Sequence, residues 1–320
     1  MTLSRRGLVA AALATPALAH AQGAAWRPDR QITMIVAYAA GGGTDTAART
    51  IARFMEKDLG QPVVVLNRPG AGGEIGFSEL ARARPDGYTI GFINTPSIVT
   101  VPIERQARFK LDDFALIANI VDDPGGIWVL KDSPIPDFQG LLAAARARPG
   151  TIGYGTTGIG SDDHLAMLAI ERATGTRFLH IPFAGSAQVK QNLLSRAIPV
   201  AVMNMAEGIA EWRQDVMRPL VQMGVTRWEP AAEVPTLKEQ GIDVVEGSMR
   251  GMAAPAGMAP EVMARLALSV RRTVDDPDFQ TLATQQNLPL RFLGPEAYRA
   301  ELLGLRDRYQ ALWAQHPWKE

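Results

Sequence analysis

Glycine, carboxylate, imidazole and hydroxyl groups fall in three clusters whose types and spacing suit chemistry. The first is glycine: Ala39-Ala40-Gly41-Gly42-Gly43-Thr44-Asp45 and Asn67-Arg68-Pro69-Gly70-Ala71-Gly72-Gly73 each carry three glycines just after a short apolar run. Backbone N–H groups in such loops can turn inward with no Cβ in the way and approach an anion, helped by the positive end of a following helix. Two of them on one edge suit a small anionic ligand held by main chain, although tight strand-to-helix turns use the same glycines. The second cluster, Gly153-Tyr154-Gly155-Thr156-Thr157-Gly158, spells G-x-G-x-x-G. That dinucleotide fingerprint requires an acid at the end of the next strand, about 20 positions on. Residues 178–183 contain none, and Glu171 falls inside the intervening helix, so no nicotinamide, flavin or other cofactor is expected. The third cluster is Ser161-Asp162-Asp163-His164, whose carboxylates and imidazole could act as bases or metal ligands. Carboxylates in a first helical turn are favoured by the helix dipole alone, Gly-x-Ser-x-Gly is absent, and His164 can simply fix the loop. The expectation is no metal and no catalysis. An exported α/β hydrolase or isomerase using His164 and Asp163 is the alternative.

The elements that must position these clusters alternate. Residues 32–93 read as one β-α-β-α-β unit, with strands at 32–37, 63–66 and 88–93. Between the first two, Ala47, Ala48, Ile51, Met55 and Leu59 form a helical stripe that Thr44 or Asp45 would cap and Gly60 would stop. Right-handed crossovers bring every strand-to-helix loop to the carboxyl edge of such a sheet, where open α/β sheets bind ligands. Asn94-Thr95-Pro96-Ser97 adds another loop there, and 98–108 reads as irregular. A strand at 114–121 is followed by an expected break at Asp122-Asp123-Pro124-Gly125-Gly126 and renewed extended chain at 127–130. A second alternation follows: helix 138–148, strand 151–154, a helix after Ser161 as cap, strand 178–183, the loop Ala184-Gly185-Ser186, helix 189–197 and strand 199–205. A strand at 220–225, a short extended piece at 252–255 and three closing helices at 260–274, 279–286 and 295–313 complete the chain. The fold class expected is α/β with two lobes, residues 22–122 and 123–227, a return to the first over 228–320, and a hinged cleft between them.

Composition fits an ordinary globular protein with a large core, 47% hydrophobic over 320 residues. Lysine plus arginine and aspartate plus glutamate both number 33, which gives no reason to expect nucleic acid or an acidic membrane surface. Residues 1–21 read as an export signal: Ser4-Arg5-Arg6, an apolar stretch over 7–18, then Ala19-His20-Ala21 as cleavage site. The adjacent arginines suit a twin-arginine route or a general secretory one. Removal leaves 31 basic against 33 acidic side chains. Without any cysteine, an exported chain has no disulfide or thiolate site and depends on its core.

Ordered agreement along the mature chain makes the sequence resemble the Bug proteins, periplasmic solute-binding receptors of tripartite tricarboxylate transporters. The agreement runs from Arg30-Gln31-Ile32-Thr33-Met34-Ile35-Val36 into Gly41-Gly42-Gly43-Thr44-Asp45, then through Asn67-Arg68-Pro69-Gly70-Ala71-Gly72-Gly73 and Pro85-Asp86-Gly87-Tyr88-Thr89. It continues through Gly160-Ser161 with His164, His180-Ile181-Pro182-Phe183 with Gly185-Ser186, Val234-Pro235-Thr236 and Ala254-Pro255-Ala256-Gly257.

That resemblance implies a two-lobed type II periplasmic binding protein in which main-chain amides and ordered waters hold a ligand's carboxylate between facing loops. Carried to matching positions, it implicates Ala40, Gly41, Gly42, Thr44 and Asp45; Ala71 and Gly72; Thr156, Thr157, Gly160, Ser161 and His164; and Gly185 and Ser186, all in binding. The implied partners are a small mono- or dicarboxylic acid, or a related amide, and the membrane subunits of the transporter, with the receptor a periplasmic monomer. A sensory receptor would use the same cleft. Departures are Ala39-Ala40 where the family commonly has two prolines, Met249-Arg250-Gly251 where it has Trp-x-Gly, and Asn192 where it has an acid. Arg250 is therefore a candidate clamp for a distal carboxylate if it faces the cleft, and otherwise a surface residue near the hinge. Gly42 is expected at positive φ, so that valine there would block the loop amides, and ligand is expected to close the cleft.

Overall fold

Residues 26–318 are described by a computed structural model, and the export segment expected over 1–21 lies outside them. The apolar run Ile32–Val36 forms β1, followed by α1 (Gly43–Leu59), β2 (Val63–Asn67), α2 (Glu74–Ala81), β3 (Thr89–Asn94) and α3 (Ser97–Glu104). A 17-residue strand β4 (Phe114–Leu130) then leads to α4 (Phe138–Ala147), β5 (Gly153–Thr156), α5 (Asp162–Thr174), β6 (Leu179–Pro182), α6 (Ser186–Leu194), β7 (Val200–Asn204), α7 (Met205–Arg213) and β8 (Met217–Gln222). The chain returns on β9 (Gly247–Pro255) and ends with α8 (Pro260–Asp275), α9 (Pro277–Gln285), β10 (Leu290–Leu293) and α10 (Pro295–Gln315).

The strands join in the order β2-β1-β3-β9-β4-β7-β5-β6, with β10 and β8 also pairing β4. β1 is parallel to β2 and β3, and β5 is parallel to β6 and β7, so each lobe has the expected crossover unit. β9 is antiparallel to both β3 and β4 and stitches the lobes together. At about 3.3 Å per residue β4 runs roughly 55 Å, far beyond an ordinary strand. Its first part pairs β9 and β10 and its last part pairs β7 and β8. Two apolar layers flank each half: Ile51, Met55, Leu266 and Phe279 on one face of the first, and Phe77, Val101, Tyr298 and Leu302 on the other. In the second half Leu141, Tyr154 and Ile170 lie opposite Trp128, Val189 and Ile209's neighbour Met205. This is the expected two-lobed α/β architecture, with helices on both faces of each half.

Several expectations are corrected. The break at 122–126 does not occur, because Pro124 pairs Gly247 and Gly125 N–H donates to Glu246 O within one continuous ladder. Gly125 and Gly126 serve packing instead: a Cβ on them would lie 2.7 Å from Met223 Sδ and 2.6 Å from Met205 Sδ. Within the stretch 98–108 read as irregular, the chain is helical through Glu104 because Ile98, Val99 and Val101 bury against the same core as Leu302 and Tyr309, and that burial outweighs poor propensity. The helix α7 and strand β10 went unread, and β9 is longer than the piece at 252–255. Residues 228–246, assigned by sequence to the return, pack on the second lobe: Ala231 and Val234 lie beside Trp128, and Leu237 and Ile242 beside Leu141.

Candidate ligand cleft

The loop from β1 to α1 is shaped by its own carboxylate. Neither Thr44 nor Asp45 is the N-cap; that position is Gly42, at φ −82°, so the left-handed residue is Gly41, at φ +82°. Asp45 Oδ2 accepts the Gly41 N–H at 2.9 Å and Arg49 Nε at 2.9 Å, while Oδ1 accepts Asn67 Nδ2 at 2.9 Å. Burial alone would raise its pKa, but Arg49, Gly41 and Asn67 outweigh this and hold the carboxyl below its usual range. From the other lobe the loop before α6 presses against this one. Ala39 N–H donates to Ala184 O at 3.3 Å, and a Cβ on Gly42 would sit 3.0 Å from Ser186 Oγ. Gly72 and Gly158 also meet backbone to backbone, a Cβ on Gly158 lying 3.5 Å from Gly72 Cα. The lobes are closed on one another.

Between them lies a cavity of about 30 Å³, room for a single water molecule. The first lobe lines it with Tyr38, Gly42, Gly43, Thr44, Asn94, Thr95 and Ser97, and the second with Thr157, Asp162, Ser186, Asn204 and Glu207. Ser248 and Arg250 reach it from the crossing strand β9. Arg250, 1% exposed, holds the two sides together: Nη2 lies 3.0 Å from Asp123 Oδ2 and donates at 3.0 Å to both Asn204 Oδ1 and Glu207 Oε1. Glu207 Oε1 also accepts Gly43 N–H at 3.1 Å and Ser186 Oγ–H at 2.9 Å. Asn204 Nδ2 donates to Asp162 Oδ2 at 2.8 Å, and Asn94 Nδ2 to Thr44 Oγ1 at 2.6 Å.

Carboxylates outnumber cations here, with electrostatic consequences. Burial, only partly opposed by Arg250, raises Asp123 to about 7, with Glu207 adding to the rise. Burial raises Asp162 to about 6, and burial together with the charge of Asp162 pushes Asp163 well up. His164 moves the other way, down to about 3, through burial and the neighbouring His180, whose ring stacks on it at 4.1 Å.

Of the residues implicated by sequence, Gly42, Thr44, Thr157, Ser186 and Arg250 line the enclosed cavity. Gly41 lines an adjoining cavity together with Ser186 and Arg250, and Ala71 and Gly72 line another with Thr157. The remainder are elsewhere. Ala40 is exposed at the loop tip, Asp45 braces the loop from behind, and Gly185 packs its backbone on Ala39. Thr156 bonds the His180 ring, Ser161 Oγ caps α5 by accepting His164 N–H, and Gly160 N–H donates to His164 Nδ1. Asp163 Oδ2 accepts from the Thr157 N–H and hydroxyl. His164 and Asp163 thus serve loop structure. Gly43, Asn94 and Asp162 were named within their loops but not among the binding residues, and Tyr38, Asn204 and Glu207 were not singled out at all. For the last two a signal existed, since Asn204-x-x-Glu207 is a capping-box spacing.

A family model described as the tripartite tricarboxylate transporter family receptor matches residues 47–291. The chain belongs to that family. It is 32% identical to the UPF0065 protein in the gbd 5' region of Cupriavidus necator, over 92% of this chain and 91% of that one. The solved periplasmic binding protein BugD superposes with a TM-score of 0.86 at 28% identity, covering 91% of this chain and 99% of BugD. An R. palustris protein solved with adipate gives 0.84 at 26% identity, covering 90% and 97%. The receptor is thus a solute-binding protein of the periplasmic-binding-protein fold, in a family of receptors rather than enzymes.

Proposed function

We propose that this receptor captures a small carboxylic acid, mono- or dicarboxylic or an amide relative, between its lobes and delivers it to the membrane subunits of a tripartite tricarboxylate transporter. The observation that carries this reading is the convergence on one enclosed cavity of α1's first main-chain N–H, at Gly43, a hydroxyl of the opposite lobe, at Ser186, and the guanidinium of Arg250. Such donors recognise a carboxylate. The relative solved with adipate supports the same ligand class. The cavity is too small for such an acid in the closed form, so binding requires opening followed by reclosure around the ligand. Export by residues 1–21, a periplasmic site of action and a monomeric state complete the proposal.

The test is thermal unfolding of the mature protein with adipate, succinate, malate, glutamate and a monocarboxylate such as butyrate. An acid at a hundredfold excess over Kd adds about 2.7 kcal/mol to the folded state. No stabilisation by any of them, with no acid recovered by native mass spectrometry, refutes the reading.

A further inference from the structure

The carboxylate of Glu207 already occupies the anion position of the cleft. Its Oε1 takes the Gly43 N–H at 3.1 Å, Ser186 Oγ–H at 2.9 Å and Arg250 Nη2 at 3.0 Å, three donors from α1, α6 and β9. It does so across the closed cleft, since Glu207 belongs to α7 of the second lobe and Gly43 to the first. The fit is close: a methyl on Gly43 would overlap Arg250 Nη1 and lie 2.5 Å from Glu207 Oε1. Arg250 Nη1, buried and without a hydrogen-bond acceptor, marks donor capacity in excess of what the chain supplies. Glu207 and Arg250 also line an adjoining cavity of about 240 Å³, so this pair partitions the enclosed space from a larger one. Only Oε1 is engaged in this way. Oε2 accepts Asn204 N–H at 3.1 Å, within α7's own capping box, so the two oxygens of one carboxylate serve the helix end and the cleft separately.

We propose that Glu207 is an internal carboxylate that competes with the ligand for Gly43 N–H, Ser186 and Arg250, latching the lobes shut without ligand and setting the affinity a ligand must exceed. The inference rests on the receptor reading above, and adds that an incoming carboxylate displaces Glu207 instead of joining it. Charge repulsion requires this order. Two carboxylates on one guanidinium, with Asp123 and Asp162 already within its network, would leave excess negative charge on almost wholly buried side chains. Removing Glu207's charge should therefore strengthen ligand binding, the reverse of what loss of a ligand-contacting group does.

The experiment compares wild type with Glu207→Gln and Glu207→Asp. Glutamine keeps the shape but lacks the charge that strengthens these hydrogen bonds, while aspartate keeps the charge on a stem too short to span the cleft. Calorimetric titration with adipate and with succinate is expected to show at least tenfold tighter binding of the better acid in both variants. Small-angle scattering without ligand is expected to show a larger radius of gyration in both than in wild type. If one variant fails to fold, the other carries the test. Wild type that binds an acid while the folded variants bind it equally or more weakly overturns the latch and leaves the receptor reading standing, as does an unchanged ligand-free radius. Variants that bind where wild type does not support the latch. Larger ligand-free radii in the variants with no binding by any of the three proteins refute the displacement proposal and the receptor reading together.

Discussion

At Arg250 a single guanidinium faces the carboxylates of Asp123 and Glu207 and the amide of Asn204 while almost wholly buried. The surface-residue alternative for it is therefore excluded: Nη2 is held by chain partners, while Nη1 is buried without an acceptor. Arg250→Ala should lose about 3–5 kcal/mol of stability, the usual penalty for leaving buried charges without their partner, and a urea midpoint within error of the parent would contradict this. Gly43 makes the neighbouring prediction. Because its Cα faces Arg250 and Glu207 without room for a methyl, Gly43→Ala should weaken carboxylate binding at least tenfold, about 1.4 kcal/mol, which calorimetry would report. Gly42→Val keeps its expected effect for another reason, the 3.0 Å approach of a Cβ to Ser186 Oγ, since its backbone is extended and not left-handed.

Among the elements, α5 shows how local chemistry was readable. Ser161 is its cap, as expected, and Gly175, at φ +67° and not read from the sequence, is its stop, the two signals that a helix end announces through unpaired backbone groups. Ser161→Ala should cost about 1 kcal/mol on chemical denaturation and leave carboxylate affinity nearly unchanged, because Ser161 caps the helix without lining the enclosed cavity. The glycine loops, both crossover units and the closing helices were legible for the same reason, as each is specified by neighbours in sequence. What could not be read depends on distant partners. The helix over 97–104 exists because Leu302 and Tyr309 cover it, and Pro124 lies in a strand because Gly247 comes from across the molecule to pair with it. Within the site, Gly42, Thr44, Thr157 and Ser186 lie on loops whose edge the alternation fixes. Glu207 reaches the same cavity from a helix that sequence periodicity did not mark, and its interaction with Gly43 spans 164 positions.

For the whole molecule, buried acids dominate the response to pH. Asp123 near 7, Asp162 near 6 and Glu246 near 7 are all raised chiefly by burial, above the value near 4 of an unfolded chain. Between those limits the native protein holds protons that the unfolded chain has released, so stability falls as pH rises through the interval. His164 acts in the opposite sense. It is neutral in the fold down to about 3, gains a proton on unfolding below about 6.5, and so penalises the native state only on the acid side. Urea midpoints should therefore rise as pH is lowered from 8 through 6.5 towards 5, by at most about 1.4 kcal/mol per unit for each net proton taken up, and level off only near the unfolded carboxyl value of about 4. Asp123→Asn should flatten the rise, and a midpoint that falls over the same range would contradict the assignment. The long strand β4 has a consequence of a different kind. Beyond Pro124 its side chains fall on opposite faces, with Ile127 and Val129 in one helix layer of the second lobe and Trp128 in the other. Gaining or losing one residue near Pro124 would exchange those layers, whereas a surface loop of doubled length costs only about 0.6 kcal/mol. Lineages descending from this gene can drift in length almost anywhere on the exterior, but one codon added or dropped at the crossing turns half the molecule inside out.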